Sequence, residues 1–184
     1  MIDPSPVRAS ARLLSRILLA IQVLLGVLAL AVLVGGVLAV LIATVRETLG
    51  TAFVDAMGVT DISPQAGQVL GLAALVFIQV AMLFAVTGRM RAIFVALERL
   101  RPEEAAGAAR GTAWWLWALV IWGVLAGALG SVITTWHLPD GERALAVGIG
   151  SQQITTALAA LFAAFMARAL TLGAALWRDH RAMI

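Results

Sequence analysis

Four long apolar runs, none with a charged residue in its central part, constrain this chain more than any other feature. They lie at about residues 17–45, 68–86, 113–135 and 149–170. About 20 mostly apolar residues in a helix cross the roughly 30 Å hydrocarbon layer of a bilayer. In lipid, a backbone must satisfy its own hydrogen bonds, which an uninterrupted helix does. The expectation is an all-α integral membrane protein in one domain covering residues 1–184, folded as an antiparallel bundle of four transmembrane helices. Composition agrees: 62% of the 184 residues are apolar and 12% charged, against about half and a quarter in soluble domains. A globule this small cannot hide that excess, so lipid must cover part of it. The first run is about twice the length of a secretory signal's apolar core and reads as a retained span, long enough to tilt.

Charge placement predicts orientation. All thirteen basic residues are Arg. Arg8, Arg12 and Arg16 precede the first run. Arg89, Arg91, Arg99, Arg101 and Arg110 lie between the second and third, and Arg168, Arg178 and Arg181 close the chain. Only Arg46 and Arg143 fall in the other two connections, which also carry Glu47, Asp55, Asp61, Asp140 and Glu142. Short Arg-rich loops stay in the cytoplasm. Both termini are therefore expected inside, in a bacterial inner membrane. Trp114, Trp115, Trp117 and Trp177 then fall near the inner interface and Trp136 near the outer one, the levels that suit an apolar ring with one polar N–H. Trp122 lies deeper and reads as a packed or lipid-facing aromatic. The basic charge beside apolar spans favours anionic lipid headgroups over nucleic acid as partner.

The connections carry local signals. Asp61 or Ser63 can cap a following helix, and Pro139 with Gly141 marks a turn. Between spans two and three, in the segment 87–112, Met90, Ile93, Phe94, Leu97 and Leu100 recur at helical spacing, with most charges elsewhere on the wheel. That is an amphipathic helix, on the membrane surface or continuous with span two. Pro102 is expected to end it, and residues 103–111 to form a flexible small-residue turn.

Helices in lipid associate through small residues that permit close approach. Span one has Ala31, Gly35, Ala39 and Ala43 at four-residue steps. Span two begins Gly67-x-x-x-Gly71, and span three contains Gly123-x-x-x-Gly127. Span four has Ala160 with Ala164 and Ala163 with Ala167. Packing within the chain is the favoured use of these stripes, with a homo-oligomer as the alternative.

Chemistry is sparse. There is no Cys, which excludes disulfides, thiolate metal sites and Cys catalysis. His137 and His180 fall on opposite sides under the expected topology and cannot share a metal. No span carries an ionisable residue of the kind that marks an ion or proton path. Gln22 and Gln79 can bond to one another or to backbone across helices. Ser131, Thr134, Gln152, Gln153, Thr155 and Thr156 are the remaining span-level polar groups. No phosphate-binding loop, dinucleotide fingerprint or nucleophile elbow is present. No catalytic, cofactor or metal site is expected, and nothing points to an enzyme.

Three stretches carry a resemblance. They are Phe94-Val-Ala-Leu-Glu-Arg-Leu-Arg101 leading through Arg110 into an aromatic span, the turn Leu138-Pro-Asp-Gly-Glu-Arg143 with residues 145–152, and Ala167-Arg-Ala-Leu170 with the charged end Asp179-His-Arg-Ala-Met-Ile184. From span two onward the chain resembles an uncharacterised bacterial family of small four-span membrane proteins, number twenty-nine seventy-five among the domains of unknown function. The resemblance implies a membrane partner for a small helix-turn-helix regulator. Three readings of function follow. In the first, the cytoplasmic face, with Arg89, Arg91, Arg99, Arg101, Arg178 and Arg181, docks a protein or lipid headgroups. In the second, the chain is an accessory subunit of a larger membrane complex. A small transporter or enzyme ranks last, for want of intramembrane charge.

Overall fold

A computed structural model describes residues 5–56, 65–136, 145 and 147–182, with side chains for 10–52, 65–136, 145 and 147–176. Every element among them is an α-helix: α1 (Ser5–Leu41), α2 (Ala43–Ala56), α3 (Ala66–Glu98), α4 (Pro102–Thr135) and α5 (Ser151–Ala182). Four stretches are long and apolar enough to cross a bilayer: Ser10–Leu41, Ala66–Glu98, Pro102–Thr135 and Ser151–Leu176. The chain is thus an all-helical, multi-pass membrane protein. The cap candidates Asp61 and Ser63 and the turn with Pro139 and Gly141 lie outside the described residues, as does His137.

Two expectations change, and one of two open alternatives is selected. The first span does not run unbroken to residue 45. α1 ends at Leu41 and α2 begins at Ala43. Leu49 of α2 packs its Cδ1 3.4 Å from the place a Cβ would occupy on Gly35. In one straight helix those positions would be about 21 Å apart along the axis, so α2 turns back along α1. The connection after the first span is therefore largely helical. Residues 103–111 are not a flexible turn either: they form the first turns of α4. Pro102 does not merely end the preceding helix but starts the next, because its fixed φ suits a first helical position and its missing N–H is not needed there. Glu103 and Glu104 lie in that first turn, where negative charge offsets the helix dipole. Ala105, Ala106, Ala108 and Ala109 are all buried. Alanine is the best helix former, and here it also has something to pack against. Thirdly, α3 carries span two and the amphipathic segment in one unbroken helix.

The chain divides into two compact units, and α1, α3 and α4 contribute a segment to each. Unit 2 comprises residues 25–81 and 121–150. There Gly36 of α1 meets α3 so closely that an added Cβ would stand 3.0 Å from Cβ of Ala73. Ala39, one turn on, is fully buried, and Val69, Leu72, Ala73 and Val80 form the buried stripe of α3. Gly71 faces the side chain of Ile133 on α4, at 3.1 Å. Gly67 and Gly127 have open space at the same position, and Gly123 is half-buried.

Gln68, which no sequence pattern singled out, holds two helix ends in unit 2. Its Oε1 accepts from the N–H of Gln65, 2.9 Å, the back-reach of a capping box at the start of α3. Its Nε2 donates to the carbonyls of Ile133 (3.0 Å) and Thr134 (3.3 Å). Those carbonyls belong to the last turn of α4, where no intrahelical partner exists. One buried amide thus satisfies a free donor on one helix and free acceptors on another.

Unit 1 comprises residues 1–24, 82–120 and 151–184. The buried line of α5 there is Ala160, Ala167 and Ala174, at seven-residue steps, which is a narrow seam of heptad spacing. Ala163 lies half-buried beside it and Ala164 is exposed.

Three outcomes test this packing. Gly36→Leu should cost about 1–3 kcal/mol of unfolding free energy through overpacking against Ala73. Gly67→Ala, with space for its methyl, should change it by less than about 0.5 kcal/mol. Gln68→Leu should cost about 1–3 kcal/mol by stranding buried groups at both helix ends. Reversible unfolding of the purified protein in mixed micelles measures all three.

Candidate functional site

The described charges concentrate in unit 1. Arg12, Arg16, Arg89, Arg91, Arg99, Arg101, Arg110 and Arg168 all belong to it, while Arg46 is the described Arg of unit 2. The candidate face is built around the join between α3 and α4. After Glu98 the chain makes a Schellman ending: Leu100 N–H donates to Leu97 O at 3.1 Å, and Arg101 N–H to Ala96 O at 2.9 Å. The residue at the reversal is Leu100, with φ 55°, where glycine is the usual choice. The carbonyl of Arg101 then accepts the first bond of α4 from Ala105 N–H, 3.2 Å. Residues 99–101 alone connect the two helices, so α3 and α4 form a tight helical hairpin with three consecutive backbone carbonyls and amides already placed. Its tip presents Arg99 and Arg101, both exposed.

Two ion pairs hold described residues of this face. Arg101 Nη1 donates to Glu104 Oε1 at 2.8 Å across one turn. Arg12 Nε donates to Glu98 Oε1 at 3.0 Å, tying the start of α1 to the end of α3. The Arg12 side chain is 58% exposed and that of Glu98 29%, so solvent screening keeps such a pair below about 1 kcal/mol.

Polar side chains lie on glycine backbone. Nε2 of Gln22 stands 2.9 Å from the Cβ position of Gly88, and the Cδ, Nε and Cζ of Arg89 lie 3.5–3.7 Å from that of Gly111. Gln22 therefore rests on α3, in unit 1. Arg91 reaches inward, with its Nε buried and unpaired among the described residues. Arg16, Arg89, Arg91, Arg99, Arg110 and Arg168 have no ion pair with another described residue. Arg178 and Arg181 fall in the last turns of α5, but their side chains, like those of Trp177 and His180, lie outside the description. The expected apolar stripe of this segment is only half covered: Ile93, Phe94 and Leu97 are half-buried, Met90 and Leu100 exposed, and the fully packed positions are Val86 and Ala96.

The span-level hydroxyls are committed to their own helices. Ser131 donates to Ala128 O (2.8 Å), Thr134 to Gly130 O (3.0 Å), Thr155 to Ser151 O (2.8 Å) and Thr156 to Gln152 O (2.8 Å). This is the local return bond open to any helical Ser or Thr, and it leaves none of these protons for a substrate. Trp122 keeps its Nε1–H buried with no partner among the described residues. No group of three or more His, Asp or Glu able to hold a metal occurs among them.

The fold defines a helical multi-pass membrane protein whose described arginines, Arg46 apart, belong to unit 1. No family model, curated protein or solved structure matches the chain.

The Schellman ending makes its own prediction. Leu100→Gly should stabilise the protein by about 0.5 kcal/mol, the left-handed strain removed slightly exceeding the backbone entropy added. Leu100→Val, β-branched at positive φ, should lower the unfolding midpoint in the same micelle titration.

Proposed function

We propose that this is a non-enzymatic protein of the bacterial inner membrane whose Arg-rich face docks a cytoplasmic protein. In this reading the spans form an antiparallel bundle with both termini inside. The carrying observation is the α3–α4 hairpin tip. Arg99 is exposed there with no ion pair to another described residue, and Arg101 is held by one solvent-exposed pair. Arg89 lies flat over Gly111 at the side of the same hairpin. A reversal fixed by backbone hydrogen bonds and carrying guanidinium forks is suited to bind carboxylates of a partner, since little backbone freedom remains to be lost. The resemblance to four-span proteins associated with helix-turn-helix regulators suggests such a regulator as the occupant.

The test is affinity purification from native membranes in mild detergent, with co-eluting proteins identified by mass spectrometry. A soluble partner should co-elute with the natural protein. It should be lost when Arg89, Arg91, Arg99 and Arg101 are reversed to Glu, at unchanged membrane levels. Retention of every cytoplasmic partner by that variant defeats the reading. Orientation is testable separately in a chain that lacks Cys. Gly107→Cys on α4 should react with an impermeant maleimide only after the cells are opened, and Thr51→Cys on α2 should react in intact spheroplasts.

A second reading, accessory subunit of a larger membrane complex, is favoured by one observation. The most apolar stretch of α1 has none of its residues buried. Co-elution of integral membrane subunits, with no soluble protein, would select that reading.

A further inference from the structure

In unit 1, α4 and α5 leave a hollow of about 350 Å³ lined by Arg110, Ala113, Ala164, Ala167, Arg168 and Thr171. The space exists because the side chains between the helices stop at Cβ: Ala113 and Ala167 are buried and form its floor. Both arginines are exposed, and neither has an ion pair with another described residue. No carboxylate of a described residue lines the hollow. Thr171 donates its proton to Ala167 O on its own helix, at 2.8 Å, so it offers a lone pair. Among the described residues, the donors available to a ligand are therefore the guanidinium N–H groups. Two cations sharing one alanine-floored hollow call for an anion, and the planar fork of Arg matches the oxygens of a phosphate.

The surroundings indicate how that phosphate arrives. On α4 the apolar run begins just after Arg110, and Trp114, one turn further, is 71% exposed. On α5 Arg168 lies inside the apolar stretch, and Phe165, about one turn before it, is 70% exposed with Leu161 exposed behind it. Both helices thus set bare aromatic surface about one turn from their arginine. A soluble anion would use the arginines of this arrangement only. We propose that Arg110 and Arg168 hold the phosphate of an anionic phospholipid headgroup, with its acyl chains along Trp114 and Phe165. Zwitterionic lipid is disfavoured because it brings a positive group beside two cations, with no described carboxylate in the hollow to balance it. The site is separate from the α3–α4 tip and does not depend on protein docking there.

The full-length protein, reconstituted in phosphatidylcholine vesicles with or without phosphatidylglycerol and then extracted, is examined by native mass spectrometry for retained lipid. Phosphatidylglycerol should be retained in preference to phosphatidylcholine. Arg110→Gln or Arg168→Gln should each weaken retention roughly fivefold, and the double variant about thirtyfold. Arg16→Gln with Arg99→Gln, which removes the same charge from exposed positions elsewhere in the unit, should leave retention unchanged. Arg110→Lys with Arg168→Lys keeps the charge and should retain more lipid than the Gln pair, a comparison that survives any loss of folded protein in the latter. Equal loss in the control pair, or no loss in the double Gln variant, overturns the site. Inorganic phosphate provides the other arm: if it binds the lipid-free protein through the same two arginines and displaces phosphatidylglycerol, the ligand is a soluble anion and the lipid assignment is overturned.

Discussion

Hydrocarbon offers no hydrogen-bond partner, and the polar groups of this protein are arranged around that fact. Backbone N–H and C=O groups close within helices. Hydroxyls return their protons to carbonyls of their own helix, as Ser131, Thr134, Thr155 and Thr156 do. For the backbone the difficulty falls at helix ends, where free donors and acceptors remain, while among the described side chains the buried Trp122 Nε1–H and Arg91 Nε also lack a partner. Two devices meet it. At one end of α3, Gln68 supplies both an acceptor to its own helix and donors to α4. At the other end, the Schellman bonds through Leu100 and Arg101 close the helix, and the carbonyl of Arg101 opens the next.

The same constraint shapes how helices meet. Lipid is as apolar as leucine, so burial alone does not drive helix pairing, and contact depends on backbones coming close. Gly36 against Ala73 is that kind of contact, and the alanine seam of α5 is another. Small residues serve a second purpose in unit 1. Gly88 and Gly111 let the amide of Gln22 and the guanidinium of Arg89 lie on helix backbone, while Ala113 and Ala167 leave a hollow beside two arginines. A glycine or alanine can therefore mark a helix contact, a shelf for a polar side chain or the floor of a binding site. Only its neighbours in space distinguish these uses.

Charge is the other organising term. The described arginines gather in one unit with few acids among them. Topology requires an excess of positive charge on one side, but does not require particular geometry. The hairpin tip at Arg99 and Arg101 and the Arg110–Arg168 hollow are two separate arrangements within that excess, and the proposals of protein docking and of lipid binding rest on them in turn.

The helical class, the number of spanning runs and the uneven distribution of arginine are all legible in the residues, because each depends only on local composition and a fixed rise per residue. Four matters rested on tertiary structure. α2 folds back on α1 although the apolar run continues across residues 41–43, since hydropathy does not register a change in chain direction. The turns from Glu103 to Gly111 are helical because buried alanines there have partners to pack against. Of the small-residue pairs, Gly71 meets a neighbouring helix whereas Gly67 and Gly127 face open space, a distinction set by the rotation of one helix against another. Gln68 and the Arg110–Arg168 hollow were likewise invisible in sequence, because Gln68 lies 65 residues from Ile133 and Arg110 lies 58 from Arg168. A linear pattern records periodicity along one helix. Which face meets which neighbour is decided by packing between helices, and the candidate sites of this protein are properties of those meetings.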